Sequence, residues 1–126
     1  MPVVRVQIPH GHTQSVKNAI SEEIRDAIDR IIDPGQGGKH PETCKWIYVA
    51  VSEADGSIGR GLPTVSIDTR PGRTRQQKMA LANAISDTFE RLMATRDVYV
   101  LFRESAAEDH IAAGEPLPEW RPPAVA

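Results

Sequence analysis

The sequence predicts an α+β chain in which duplicated β-α-β units form one four-stranded sheet with two helices on one face. Three observations carry that expectation. The chain repeats itself at a constant offset of 61 residues, which sets Pro2, Val4, Val6, Gly11, Thr13 and Lys17 over Pro63, Val65, Ile67, Gly72, Thr74 and Lys78. Apolar side chains recur at helical spacing after each glycine turn, and β-branched runs flank those stretches. A strand joined to a parallel neighbour through a helix takes a right-handed crossover, so two such units can share a sheet with both helices on the same side.

Each element has its own signal. Residues 3–8 are valine-rich and read as the first strand, ended by the turn Pro9-His10-Gly11. Thr13 is the expected N-cap of a helix whose apolar stripe is Val16, Ile20, Ile24, Ala27, Ile28 and Ile31. Asp33-Pro34-Gly35 stops it, because proline cannot continue the hydrogen-bond ladder. Residues 46–51 read as the second strand and 63–69 as the third, which turns at Pro71-Gly72-Arg73. Thr74 with Gln77 forms a capping box, and Leu81, Ile85, Phe89 and Leu92 make the second buried stripe. After the helices the match resumes at a new offset, with Tyr48-Val49 over Tyr99-Val100 and Glu53 over Glu104. Residues 98–102 are the last strand, 108–113 a short helix, and 115–126 an extended tail carrying four prolines. The whole of 1–126 thus reads as a single domain with repeat units at 2–61 and 63–114.

Composition narrows the function classes. The 126 residues are 40% hydrophobic and 25% charged, an ordinary globular balance. A formal net charge of -2 argues against a nucleic-acid partner, whose phosphates call for an excess of cations. Cys44 stands alone, which leaves neither an internal disulfide nor a thiolate metal site. No apolar run approaches the roughly 18 residues of a membrane span. The start Met1-Pro2-Val3-Val4-Arg5-Val6 lacks the pattern of a secretion signal, so the expected location is cytoplasmic and no membrane partner is expected. The sheet face away from the helices is expected to be apolar, through Val4, Val49, Val65 and Val100 or their neighbours, and to drive self-association into a closed ring.

Pro2 is the most informative residue. Removal of the initiator methionine would leave it a free secondary amine, and burial or nearby cations would favour the neutral form of that amine. A ring amine poised near neutral pH can take a proton from carbon and return it. Arg70 and Arg73 flank a turn at a helix start, a place suited to holding a carboxylate. Other residues read as structural: His10 and His12 as a solvated turn, with no metal, Glu104 and Asp109 as surface acids, Trp46, Tyr48 and Tyr99 as strand packing, and Cys44 as inert.

With these features the chain resembles the tautomerase superfamily, whose founding member is 4-oxalocrotonate tautomerase. The residues carrying the resemblance are the N-terminal Pro2-Val3-Val4 strand, the duplicated unit, and Gly72-Arg73-Thr74 with Gln77-Lys78 opening the second helix. Within the superfamily, the fused length is similar to the cis-3-chloroacrylic acid dehalogenase and malonate semialdehyde decarboxylase branches. The segment 55–61 also resembles the glycine-rich hairpin of single-unit members, with Ile58 where they place an aromatic pocket wall. The resemblance implies a tautomerase/MIF-like fold, a homotrimer, Pro2 as catalytic amine, and Arg70 and Arg73 as ligands of a small-molecule carboxylate substrate. It implies no cofactor. Where the dehalogenase branch has a histidine, a tyrosine and a glutamate, this chain has Ile28, Leu101 and Ala112, which argues against hydrolytic dehalogenation. For the aspartate that the decarboxylases carry after the first helix, Glu42 is the candidate. His12 stands where the repeat would place Arg73, so one pocket per chain is expected. The expected function is an enol–keto tautomerase with Pro2 as general base. The alternatives are a dehalogenase, hydratase or decarboxylase with cationic Pro2 as acid, and a non-catalytic remnant of the family.

Overall fold

The computed structural model describes residues 2–32, 47–54 and 63–116. Strand β1 (Val3–Pro9) shows the two-residue period of a half-buried strand, with Val4, Val6 and Ile8 enclosed and Arg5 and Gln7 exposed. Helix α1 (Gln14–Ile31) starts at Thr13, whose side-chain oxygen accepts from the Val16 N–H. It buries Ile20, Ile24, Ala27 and Ile28, with Val16 and Ile31 at the margin of the core. Each fully enclosed aliphatic side chain contributes about 1.5–3 kcal/mol over its exposed state. Strand β2 (Tyr48–Ala54) then returns parallel to β1. The expected helix stop at 33–35 and strand start at Trp46 lie outside the described residues.

The second unit repeats the plan with β3 (Thr64–Thr69), α2 (Arg75–Met93) and β4 (Tyr99–Glu104). Its capping box is complete: the Gln77 N–H donates to Thr74 Oγ1 at 3.1 Å, and the Thr74 N–H donates to Gln77 Oε1 at 2.9 Å. Leu81, Ile85 and Phe89 fill the core from this side.

The sheet order is β2-β1-β3-β4, with β1/β2 and β3/β4 parallel and the central pair antiparallel. Joining two parallel pairs back to back gives the sheet a local twofold. Arg5 lies opposite Ser66, and these are positions that the repeat superimposes, so the axis passes between them. The two halves match in detail. The Tyr48 N–H donates to the Pro2 carbonyl at 3.1 Å, as the Tyr99 N–H does to Pro63 at 3.0 Å. Gly11 and Gly72 turn the chain at φ 106° and 114°, a region closed to other residues at low cost.

Two expectations change. In place of a short helix over 108–113, the chain makes a 3-10 turn (Ala107–Asp109) and a small hairpin of β5 (Ile111–Ala112) and β6 (Glu115–Pro116). The hairpin turns through Ala113 and Gly114, both at positive φ, which suits a two-residue turn and ends any helix there. The outer sheet face is not broadly apolar. Val4 and Val65 share the phase that faces the helices, so the outer face carries Arg5, Gln7, Ser66 and Asp68 at its centre. Its apolar groups sit on the edge strands: Tyr48 is 58% exposed, Tyr99 66% and Leu101 38%. The two tyrosines therefore do not serve as packing within the chain. No helix among the described residues is long and apolar enough to cross a membrane.

Candidate active site

Burying a polar or charged side chain is costly, so the places where a fold does it are informative. Among the described residues four are enclosed: Thr69, Arg70, Arg73 and Thr88. Three of these lie within five residues, at the exit of β3. Thr69 continues the inward phase of Val65 and Ile67. The chain then leaves the sheet through Arg70-Pro71-Gly72-Arg73, and Arg73 Nη1 donates back to the Arg70 carbonyl at 2.9 Å. Both guanidinium-bearing residues are almost sealed from solvent, at 2% and 5% exposure.

Pro2 reaches the same place from the other central strand. It is buried, in phase with Val4, Val6 and Ile8. The last pair of the β1–β3 ladder is Val3 with Asp68, so the next residues outward are Pro2 and Thr69. Pro2 thus sits at the sheet end from which Arg70 and Arg73 emerge. The three residues singled out in the sequence share one end of the central strands.

A further residue joins them. The Ser105 N–H, just beyond β4, donates to the Thr69 carbonyl at 2.9 Å. The chain makes its 3-10 turn, closed by the Asp109 N–H on the Ala106 carbonyl at 2.9 Å. It then returns, so that His110 Nε2 lies 2.9 Å from Ser105 Oγ. Burial pushes the His110 imidazole below its usual value and the Arg70 cation adds to this, while a hydrogen bond with the Ser105 backbone and then Asp109 oppose it. Read from the sequence, this segment carries surface acids and a short helix, and nothing in it singles out His110. The one available signal was a serine five residues before a histidine, which means little until a loop closes them together.

The first half shows what becomes of the same turn without arginines. Glu53 and Glu104 hold one position in the two units, opposite Ile8 in β1 and Thr69 in β3. Glu53 accepts from the Gly11 N–H at 3.3 Å and the His12 N–H at 3.1 Å, and pairs with Lys17 at 2.9 Å and His10 Nδ1 at 2.9 Å. Its carboxyl is lowered to about 2, first by the Lys17 hydrogen bond and then by the backbone of that turn. Glu104 pairs at 2.7 Å with Lys78, the repeat of Lys17. One helix-start turn is thus occupied by the chain's own carboxylate, while the other carries Arg70 and Arg73. The candidate site takes Pro2 from the first unit and Arg70 and Arg73 from the second. No group of three or more His, Cys, Asp or Glu suited to a metal occurs among the described residues. Glu42, Cys44, Trp46 and Ile58 lie outside them.

Comparison with known proteins bears on the second half. Residues 63–119 match the Tautomerase family model, described as tautomerase enzyme. A fused 4-OT, solved as a symmetric trimer, superposes with a TM-score of 0.72 at 23% identity, over 90% of this chain and 93% of that one. The chain shares the fold of that protein. Malonate semialdehyde decarboxylase superposes with a TM-score of 0.65 at 17% identity, over 86% of this chain and 88% of the other. A macrophage migration inhibitory factor-like protein from Entamoeba histolytica gives 0.72 at 15% identity, over 92% and 98%. No curated protein matches the chain. The tautomerase match covers Arg70, Arg73, Ser105 and His110, and leaves out the half in which Glu53 fills the turn.

Proposed function

We propose that the chain is an enol–keto tautomerase acting on a small unsaturated or 2-oxo carboxylate, with Pro2 as general base and Arg70 and Arg73 as carboxylate ligands. The observation that carries this reading is the convergence of buried Pro2 with two buried arginines at one end of the central strands. The role requires cleavage of the Met1–Pro2 bond, which frees the ring nitrogen. Two neighbouring guanidinium groups then disfavour a third positive charge and hold that nitrogen neutral. Its lone pair takes the enol O–H proton, the electrons move to form the ketone, and the nitrogen returns the proton to carbon. The arginines hold the carboxylate and stabilise the negative charge spread over the dienolate between the two transfers.

Intact mass on the purified protein should show loss of Met1. Pro2→Ala should lower kcat/KM for an enol substrate by about 10²-fold, the low end of what a positioned base supplies. An unchanged rate would overturn the assignment. Arg73→Ala should raise KM by about tenfold or more, the weight of a charge-assisted contact, and an unchanged KM would remove Arg73 from the site. Activity should fall on the acid side as the proline nitrogen takes up a proton.

A second reading is a decarboxylase or hydratase in which cationic Pro2 acts as acid. It is supported by the likeness to malonate semialdehyde decarboxylase, whose structure is described in terms of decarboxylase and hydratase activities. Titration of the Pro2 nitrogen by NMR separates the two. A midpoint below neutrality favours the base, one well above it the acid.

The assembly belongs to the same proposal. Fused 4-OT forms trimers, and the exposed tyrosines on both edge strands here suit contacts between copies. We take the working form to be a homotrimer.

A further inference from the structure

His110 is tethered more firmly than a surface histidine needs to be. Ser105 is fixed to the Thr69 carbonyl, the imidazole is fixed to Ser105, and the segment between them is a hydrogen-bonded turn. Ile111 then enters the β5–β6 hairpin at once, so His110 is held from both sides. Thr69 is the residue beside Pro2 and directly before Arg70, so this tether brings the ring to the end of the sheet where the candidate site lies.

The rest rests on the carboxylate site proposed above. We propose that His110 is the contact for the oxygen at C2 of the substrate, and that the site therefore selects a 2-oxo acid or its enol over a plain carboxylic acid. In the tautomer this proposal requires, Ser105 Oγ–H donates to Nε2 across their 2.9 Å contact and the ring proton sits on Nδ1. Nδ1–H is then a neutral donor for the ketone oxygen, or for the enolate oxygen as charge builds there, and no proton leaves the ring. The groups acting on it agree with that role. Burial and the Arg70 cation disfavour the charged ring, while the Ser105 backbone and Asp109 oppose them. An imidazolium beside the two guanidinium groups would crowd the site with charge; a neutral donor does not. Substrate atoms divide accordingly, with the carboxylate on Arg70 and Arg73, the C2 oxygen on His110, and the carbon proton on Pro2.

The rival explanation is that Ser105–His110 only staples a loop. The two are separated by binding a matched pair of small acids, 2-oxobutyrate and butyrate, to the full chain, followed by NMR shifts. An arginine pair alone treats them alike. The wild-type protein should bind 2-oxobutyrate about tenfold more tightly, the weight of one well-placed hydrogen bond. His110→Ala should erase that preference and leave the butyrate affinity where it was, and Ser105→Ala, which keeps the ring but frees it, should erode it partly. Thermal melting of both variants checks that the fold is intact. Equal binding of the two acids by the wild type, or a preference that survives His110→Ala, overturns the role of His110 and leaves the carboxylate site standing. Failure of either acid to bind overturns the carboxylate site and this inference with it.

Discussion

Glu53 and Glu104 occupy the same position in two copies of one unit, and their neighbours give them different tasks. Glu53 is 14% exposed and closes the first turn. Its carboxyl lies at about 2 in the folded chain against 4.5 for the free group, so the unfolded chain binds a proton first as pH falls. The stability it contributes is complete above 4.5 and is lost as pH drops through about 2. Glu53→Gln should flatten the fall in melting temperature across that window, and a slope equal to wild type would show that the turn does not depend on this charge. Ala94, which caps α2 at φ 57°, makes a second case. A side chain in the left-handed region is strained, and glycine is not. Ala94→Gly should stabilise the chain by about 1 kcal/mol on denaturant unfolding, and a loss of stability would show that the methyl group has a packing role.

The two helices share a plan but not the quality of their starts. Thr74 takes part in a reciprocal pair with Gln77, whereas Thr13 accepts one hydrogen bond, at 3.3 Å. Thr74→Ala should therefore cost about 1 kcal/mol, and Thr13→Ala less; the reverse order in equilibrium unfolding would contradict the capping geometry. Features of this local kind were legible in the sequence. The stripe Ile20, Ile24, Ile28 and its counterpart Leu81, Ile85, Phe89 announce themselves by spacing, and the caps by residue type. Pro2, Arg70 and Arg73 stood out for the same reason, since their chemistry is carried by identity. What stayed hidden depends on strand register or on closure of a loop. Glu53 is 42 positions from Gly11, and only the β1–β2 ladder brings them together. His110 needs Ser105 anchored on a different strand. The β5–β6 hairpin turns on Ala113, which does not advertise a positive φ as asparagine would. Val4 and Val65, or their neighbours, are equally open to the outer face in the sequence, because a valine alone does not say which way its strand points.

At the scale of the molecule, polarity is arranged for neighbours at the margins rather than across the whole sheet. Arg5 and Asp68 pair at 3.5 Å near the centre of the outer face, while Tyr48 and Tyr99 stand exposed at the edges. Light scattering on the purified chain should give three copies. Tyr48→Glu with Tyr99→Glu should shift that mass downward, because a charge buried at a contact is costly. A trimer untouched by both changes would place the contacts elsewhere.

The local twofold has a consequence for a rearranged gene. A circular permutant opening at Pro63 would present a proline nitrogen at the rotated position, next to Ile8 as Pro2 is next to Thr69. There Pro9 and His12 replace the arginines, and the nearby turn is already filled by Glu53. Such a chain should keep its architecture and be inert towards enols, which would show that the two ends of the sheet, alike in backbone, have been given unequal trades.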